Sequence, residues 1–213
     1  MKTRTISTLN QLAWACALAL GSAAAAAAPC TGISVGSAST GDVTLAGAAS
    51  DQCVISNVNP QQGASGNTSG FSGTFGTGWT MLGKVDINGA VTGQPASVGG
   101  VVFDIDFMQA TGTAGTWSVT TDKAATFDLV FAMHGANRSG AFLFDNEATS
   151  ANLNADGTWA IHWLNNGGNV PNYSNLTVFV RDVALAPVPE PETYALMLAG
   201  LGAVGFVARR RQA

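Results

Sequence analysis

A chain of 213 residues with 10% charged and 46% hydrophobic residues is too apolar and too sparsely charged to be an intrinsically disordered polymer. Its net charge of −4 hides an asymmetry, because five of the nine basic residues (Lys2, Arg4, Arg209, Arg210 and Arg211) stand at the extreme ends. Residues 29–187 keep four basic side chains against eleven acidic ones, a net −7 that argues against nucleic acid and anionic lipid as partners.

Residues 1–28 have the plan of a secretory signal peptide. Lys2 and Arg4 form the positive start, Leu12 to Leu20 the apolar stretch, and Ala23 to Ala28 the small residues a signal peptidase accepts. Pro29 is a poor residue directly after a cut, which puts cleavage a residue or two earlier. Cys16 leaves with the signal. Cys30 and Cys53 then remain as an even pair in an oxidising compartment, and a disulfide between them is expected. Closing that loop is worth about 3 kcal/mol in the chain-entropy model.

The remaining segment, 29–187, is long enough for one domain with a real core. It is rich in Gly, Thr, Ser, Asn and Val, and strands recur along it by period-two alternation. Trp79 to Val85 is the first of them. Next, Val101, Phe103, Ile105 and Phe107 alternate with Val102, Asp104 and Asp106. Gly115 to Thr121 follows, then Thr126 to His134, where Phe127, Leu129, Phe131 and Met133 take one face. Gly140 to Phe144 is shorter. Trp159, Ile161 and Trp163 alternate with polar neighbours, and Leu176, Val178 and Val180 share a face in the last strand. Turn clusters at 63–70, 112–115, 135–140 and 165–172 separate these strands, and no stretch offers a helical stripe. The expected fold is all-β, an antiparallel β-sandwich of jelly-roll-like kind. Its edge strands offer a simple route to self-assembly. A weak internal echo relates Gly115-Thr116-Trp117-Ser118-Val119 to Gly157-Thr158-Trp159-Ala160-Ile161.

The C-terminal segment, 188–213, is a third unit. Val188-Pro189-Glu190-Pro191 is a rigid spacer, Tyr194 to Ala208 an uncharged apolar run, and Arg209, Arg210 and Arg211 a cationic stop expected to stay cytoplasmic. The run makes about 24 Å of helix, short for an ordinary anchor and suited to a temporary transmembrane helix. This combination resembles the PEP-CTERM sorting signal of Gram-negative bacteria that make extracellular polysaccharide. The resemblance implies an exosortase-type membrane protease as partner, cleavage near Pro189–Pro191, and delivery from a transient inner-membrane anchor to the cell surface or extracellular matrix. Residues from Gly78 onward also resemble a recurrent domain found ahead of such tails. The likeness rests on Gly78-Trp79-Thr80-Met81-Leu82-Gly83-Lys84, Gly115 to Trp117, Phe127 to Phe131, Gly140 to Asp145, Gly157 to Trp159 and Leu176 to Arg181. It implies a compartment rather than a reaction.

Candidate chemistry within the domain is thin. His134 and His162 fall on outward strand faces without further ligands at metal spacing, so neither a metal nor a cofactor is expected. Asp104/Asp106 and Asp145/Glu147 are carboxylate pairs at i, i+2, the spacing that puts both groups on one strand face. The same spacing arises on any solvated face, and no nucleophile elbow, P-loop or dinucleotide fingerprint is present, so an enzyme is not expected. Alternation places Trp117, Trp159 and Trp163 in the core, which leaves Tyr173, in an Asn-rich loop, as the exposed aromatic for glycan contact. The leading reading is a structural or adhesive protein of exopolysaccharide or biofilm, ahead of a carbohydrate-binding module and a glycoside hydrolase.

Overall fold

The computed structural model describes residues 27–88, 91–187, 196–201, 204 and 209–210. Just over half of the described residues before 186 are strand. The short early strands are β1 (Thr31–Gly32), β2 (Thr44–Leu45), β3 (Ala48–Ala49) and β4 (Gln52–Ser56). A single helical turn, α1 (Ser72–Phe75), precedes β5 (Thr80–Asp86), β6 (Val91–Thr92) and β7 (Ala96–Val98). The long strands follow: β8 (Val101–Thr111), β9 (Ala114–Thr121), β10 (Ala125–Gly135), β11 (Arg138–Thr149), β12 (Asn154–Ala160) and β13 (Asn175–Leu185).

They form a seven-stranded sheet in the order β1-β4-β11-β10-β13-β5-β6, a four-stranded sheet in the order β12-β9-β8-β7, and the small hairpin β2-β3. Pairing is antiparallel except between β1 and β4. The chain makes the β8-β9 hairpin, crosses to make β10-β11, returns to lay β12 beside β9, and crosses again to lay β13 beside β10. Seven and four strands depart from the eight of a jelly roll.

The inner faces meet as the alternation predicts. Phe127, Leu129, Phe131 and Met133 of β10 share one buried cluster with Val101, Phe103 and Ile105 of β8. Ring contacts cross between the sheets, Phe103 to Phe127 at 5.1 Å and Trp117 to Phe131 at 4.6 Å. Trp117, Trp159 and Trp163 are each at most 2% exposed. The internal echo has a structural meaning, because β9 and β12 pair so that Gly157 lies opposite Trp117 and Gly115 opposite Trp159. Each glycine faces the other strand's indole. A Cβ on Gly157 would come within 2.3 Å of Trp117 Nε1, so the pairing requires glycine there.

A second cluster lies on the outer face of the seven-stranded sheet. Val54, Val130, Ala132, Ala141, Leu143 and Phe179 form its floor, and Phe71 and Phe75 cover them, with Trp79 partly buried beside. Residues 57–79 therefore form a lid, not merely a turn. Its covering aromatics stand at 71, 75 and 79, the i, i+4, i+8 spacing of a helical stripe, of which only α1 is helical.

The expected disulfide is present between Cys30 and Cys53 and holds the edge strand β1 on β4. The outermost strands are short or flanked. β1 and β6 have two residues each and β7 three. The outer edge of β12 is taken by residues 43–46, with Ala46 N–H donating to Asp156 O at 2.7 Å. β8 runs on past β7, whose pairing with it stops at Phe103.

Apart from Ala27 and Ala28, the expected signal peptide lies outside the described residues, as do Val188, Pro189, Glu190, Pro191 and Arg211. Ala28 is already part of the fold, since Thr40 N–H donates to its carbonyl at 2.8 Å. Residues 196–201 are helical with Leu196, Met197, Leu198 and Leu201 exposed, and Arg209 and Arg210 are helical and exposed. Among the described residues no helix is long and apolar enough to cross a membrane.

Candidate functional site

The outer face of the four-stranded sheet is open and polar. Strand alternation turns Asp104, Asp106 and Met108 outward from β8, Thr116, Ser118 and Thr120 from β9, and Asn154, Asp156 and Thr158 from β12. Register aligns them in rows: Asp104, Thr120 and Asn154; Asp106, Ser118 and Asp156; Met108, Thr116 and Thr158. Hydrogen bonds fix part of this array. Thr120 Oγ1 donates to Asn154 Oδ1 at 2.9 Å, and Asn154 Nδ2 donates to Asp156 Oδ1 at 2.7 Å. The Thr44 and Thr158 hydroxyls meet at 2.8 Å. A groove of about 760 Å³ runs over part of this array, lined by Asp106, Met108, Thr116, Ser118, Asp156 and Thr158 among others.

A second groove, of about 710 Å³, lies beside the lid, between the amides Asn57, Asn59, Gln61, Gln62 and Asn67 and the sheet residues Lys84, Asp86 and His134. Its amides are largely committed to the loop itself. Asn59 Oδ1 accepts from Gln61 N–H at 3.0 Å, Asn67 Oδ1 accepts from Ser69 N–H at 3.1 Å, and Asn57 Oδ1 accepts from Arg138 Nη1. Asn67 Nδ2 donates to Gln62 Oε1 at 3.3 Å.

Several sequence-derived sites move. Tyr173 is 4% exposed, which corrects its reading as an exposed glycan contact. Tyr173 N–H donates to Gly112 O at 2.7 Å and Ser174 N–H to His134 O at 2.7 Å. These bonds draw the ring inward, edge-on to Trp159 at 5.4 Å. Burial and the nearby Asp86 charge push its phenol above the ordinary 10.0. Asp104 and Asp106 do share an exposed face. Asp145 and Glu147 do not, because the β10–β11 register slips between the Leu129–Phe144 and Phe127–Glu147 pairs. The extra residue sends Glu147 to the side of the buried Phe127, while Asp145 stays exposed. His162 is half-exposed, and its Nδ1 lies 3.0 Å from Oδ1 of the buried Asp42. His134 faces outward but is half-buried beside the lid, bonded to Ser139 Oγ at 2.7 Å, and burial lowers its pKa below 6.5.

Arg181 and Asp128 form a polar junction that alternation alone did not single out. Arg181 Nε donates to Asp128 Oδ2 at 2.9 Å, Nη1 donates to Phe75 O, and the guanidinium stacks 4.3 Å from the Trp79 ring centre. Asp128 is 5% exposed and also accepts from Asn146 N–H at 3.0 Å. Burial alone would raise its pKa. Hydrogen bonds from Asn146, Arg181 and Asp145, with the Arg181 charge, outweigh burial and hold it below 3.8. Bulges on both neighbouring strands flank Asp128, with Asn146 and Asp182 at positive φ. The junction ties the lid to the sheet. Among the described residues no group of three or more His, Cys, Asp or Glu could hold a metal ion.

Beyond β13 the chain passes through Ala186, whose N–H donates to Ala124 O at 2.9 Å, into the tail. A family described as the PEP-CTERM protein-sorting motif matches residues 187–211. The chain carries a PEP-CTERM sorting motif. That motif marks an exported protein for processing by an exosortase, a membrane protein, and for sorting to the cell surface. The PEP-CTERM match begins two residues after Leu185, the last residue of β13, so the sorting signal adjoins the fold directly. No curated protein matches the chain, and no solved structure matches it.

Proposed function

We propose that this chain is a non-enzymatic protein of the cell surface or extracellular matrix, acting in adhesion or matrix structure within exopolysaccharide. The observation that carries this reading is the position of the sorting motif at 187–211, outside the last strand. Cleavage near Pro189–Pro191 removes the tail and leaves both sheets and the Cys30–Cys53 bridge whole. Before cleavage, the apolar tail holds the chain in the inner membrane, with Arg209, Arg210 and Arg211 on the cytoplasmic side. Carbohydrate binding is the second reading, favoured by the open hydroxyl- and carboxylate-bearing face of the four-stranded sheet. Catalysis ranks third, and the split of the Asp145/Glu147 pair between faces weighs against that pair as its carboxylates.

The test compares cells expressing the full chain with cells expressing a chain lacking residues 187–213, following the protein by immunoblot in washed exopolysaccharide. The full chain is expected in the matrix fraction and the truncated chain in the soluble fractions. Equal recovery of both in the matrix would overturn the reading.

A further inference from the structure

β9 is flanked by β8 and β12, and its outward side chains Thr116, Ser118 and Thr120 are short. Its neighbours raise Asp106 and Met108 on one side and Asp156 on the other. The groove is thus a short trough over the start of β9, about 7 Å from Thr116 to Ser118 at the strand rise of roughly 3.3 Å per residue. It is built on strands, not loops, and one wall is pre-ordered by the bond from Asn154 to Asp156 Oδ1. Met108 is 69% exposed, a large apolar side chain left in water at the trough's rim.

We propose that this trough binds a neutral polysaccharide chain laid along β9. Asp106 and Asp156 accept hydrogen bonds from sugar hydroxyls, and Met108 packs against the apolar face of a pyranose ring. Three features select this occupant. Carboxylates and threonine hydroxyls complement vicinal diols, and charge-assisted acceptors are the stronger kind. β7, β8, β9 and β12 contain no Lys or Arg, so the negative face repels uronates and other anionic sugars. A peptide strand would find no unpaired backbone on a sheet face, since augmentation uses edges. The proposal rests on the reading of the domain as a module facing exopolysaccharide.

The test is affinity electrophoresis of the full-length chain in a sugar-free zwitterionic detergent, through gels cast with dextran, mannan or galactan, and with alginate or polygalacturonate as anionic probes. Trough variants are Met108→Ala, Asp106→Asn and Asp156→Asn, and the control is Gln61→Ala/Gln62→Ala in the amide groove. The expected result is retardation by at least one neutral polymer and none by the anionic ones. Each trough variant should weaken that retardation about tenfold, with unchanged melting and no effect of the control. Retardation that survives all three trough variants, or that falls only in the control, overturns the trough while leaving the matrix role standing. Stronger retardation by the anionic polymers overturns the charge argument and the proposal with it. Absence of retardation by every neutral polymer also overturns it, and the matrix fractionation above then decides separately whether the surface reading survives.

Discussion

The two outer faces of this sandwich have opposite fates. The seven-stranded sheet carries apolar side chains on both sides, Phe127, Leu129 and Phe131 inward and Val130, Ala132 and Phe179 outward, and its outer side is covered by residues 57–79. The four-stranded sheet has Phe103, Ile105, Trp117 and Val119 inward, and carboxylates, hydroxyls and one methionine outward. Hydrophobic burial explains the first arrangement, since each fully buried Val or Phe contributes about 1.5–3 kcal/mol over an exposed one. Nothing comparable is gained by covering the second. The contrast separates a face that stabilises the fold from a face free to meet something else.

The largest expected effect lies on the covered face. Phe71 is 2% exposed and touches Phe75, Trp79 and Phe179 with ring centres 5.3–6.0 Å away. Phe71→Ala should cost about 3–4 kcal/mol in urea unfolding under non-reducing conditions. A loss under 1 kcal/mol would mean that residues 57–79 lie loosely on the sheet. Next comes Arg181→Met, which keeps the side chain's bulk but strips the buried Asp128 of its cation. The expected loss is about 3 kcal/mol, because the remaining carboxylate is buried with its partner gone. Arg181→Met with Asp128→Asn should recover part of it.

The pH profile carries a smaller effect. Asp128 has a depressed folded pKa, so its stabilisation is full above 3.8 and lost as pH falls through the folded value. Glu147 has the opposite sign. Burial first, and then the Asp51 charge, raise it above 4.5, so the native state loses stability as pH rises from 4.5 through the folded value. Glu147→Gln mimics the protonated form. Its melting temperature should match that of the unaltered chain at pH 4 and exceed it at pH 7. A variant less stable at pH 7 would show that the Glu147 charge has a favourable partner.

How much of this was legible in the sequence follows the same contrast. Strict alternation places inner-face residues well, as in Val101 to Phe107 and Trp159 to Trp163, because a side-chain period of two is local. The lid was less visible. Its signal lay in Phe71, Phe75 and Trp79 together with the apolar residues on the second face of β10 and β13, a pattern that demands cover on both sides. Glu147 changes face because of a register slip that no local pattern announces. Tyr173 is drawn inward by backbone bonds to Gly112 and by Ser174 bonding to His134, partners 61 and 40 residues away. The rows across β8, β9 and β12 depend on register between segments that are not all consecutive, so Asp106, Ser118 and Asp156 come together only in the folded sheet.

The smallest expected effect on stability belongs to the open face, and it makes the sharpest use of the comparison. Asp104, Asp106 and Asp156 are exposed and sit among neighbours of like or neutral character. Asp104→Asn and Asp106→Asn should each shift unfolding by less than about 0.5 kcal/mol, since exposed substitutions away from caps and cores rarely do more. Combining them should relieve mutual repulsion and add no penalty. Asp156→Asn should lose slightly more, because Asp156 Oδ1 accepts from Asn154 Nδ2. If the double variant instead lost 2 kcal/mol or more, the carboxylates would have to be engaged with something that stabilises the folded chain, and the division between a stabilising face and a free one would collapse. Near-neutral stability together with lost glycan retardation would place function on the one face that contributes least to the fold.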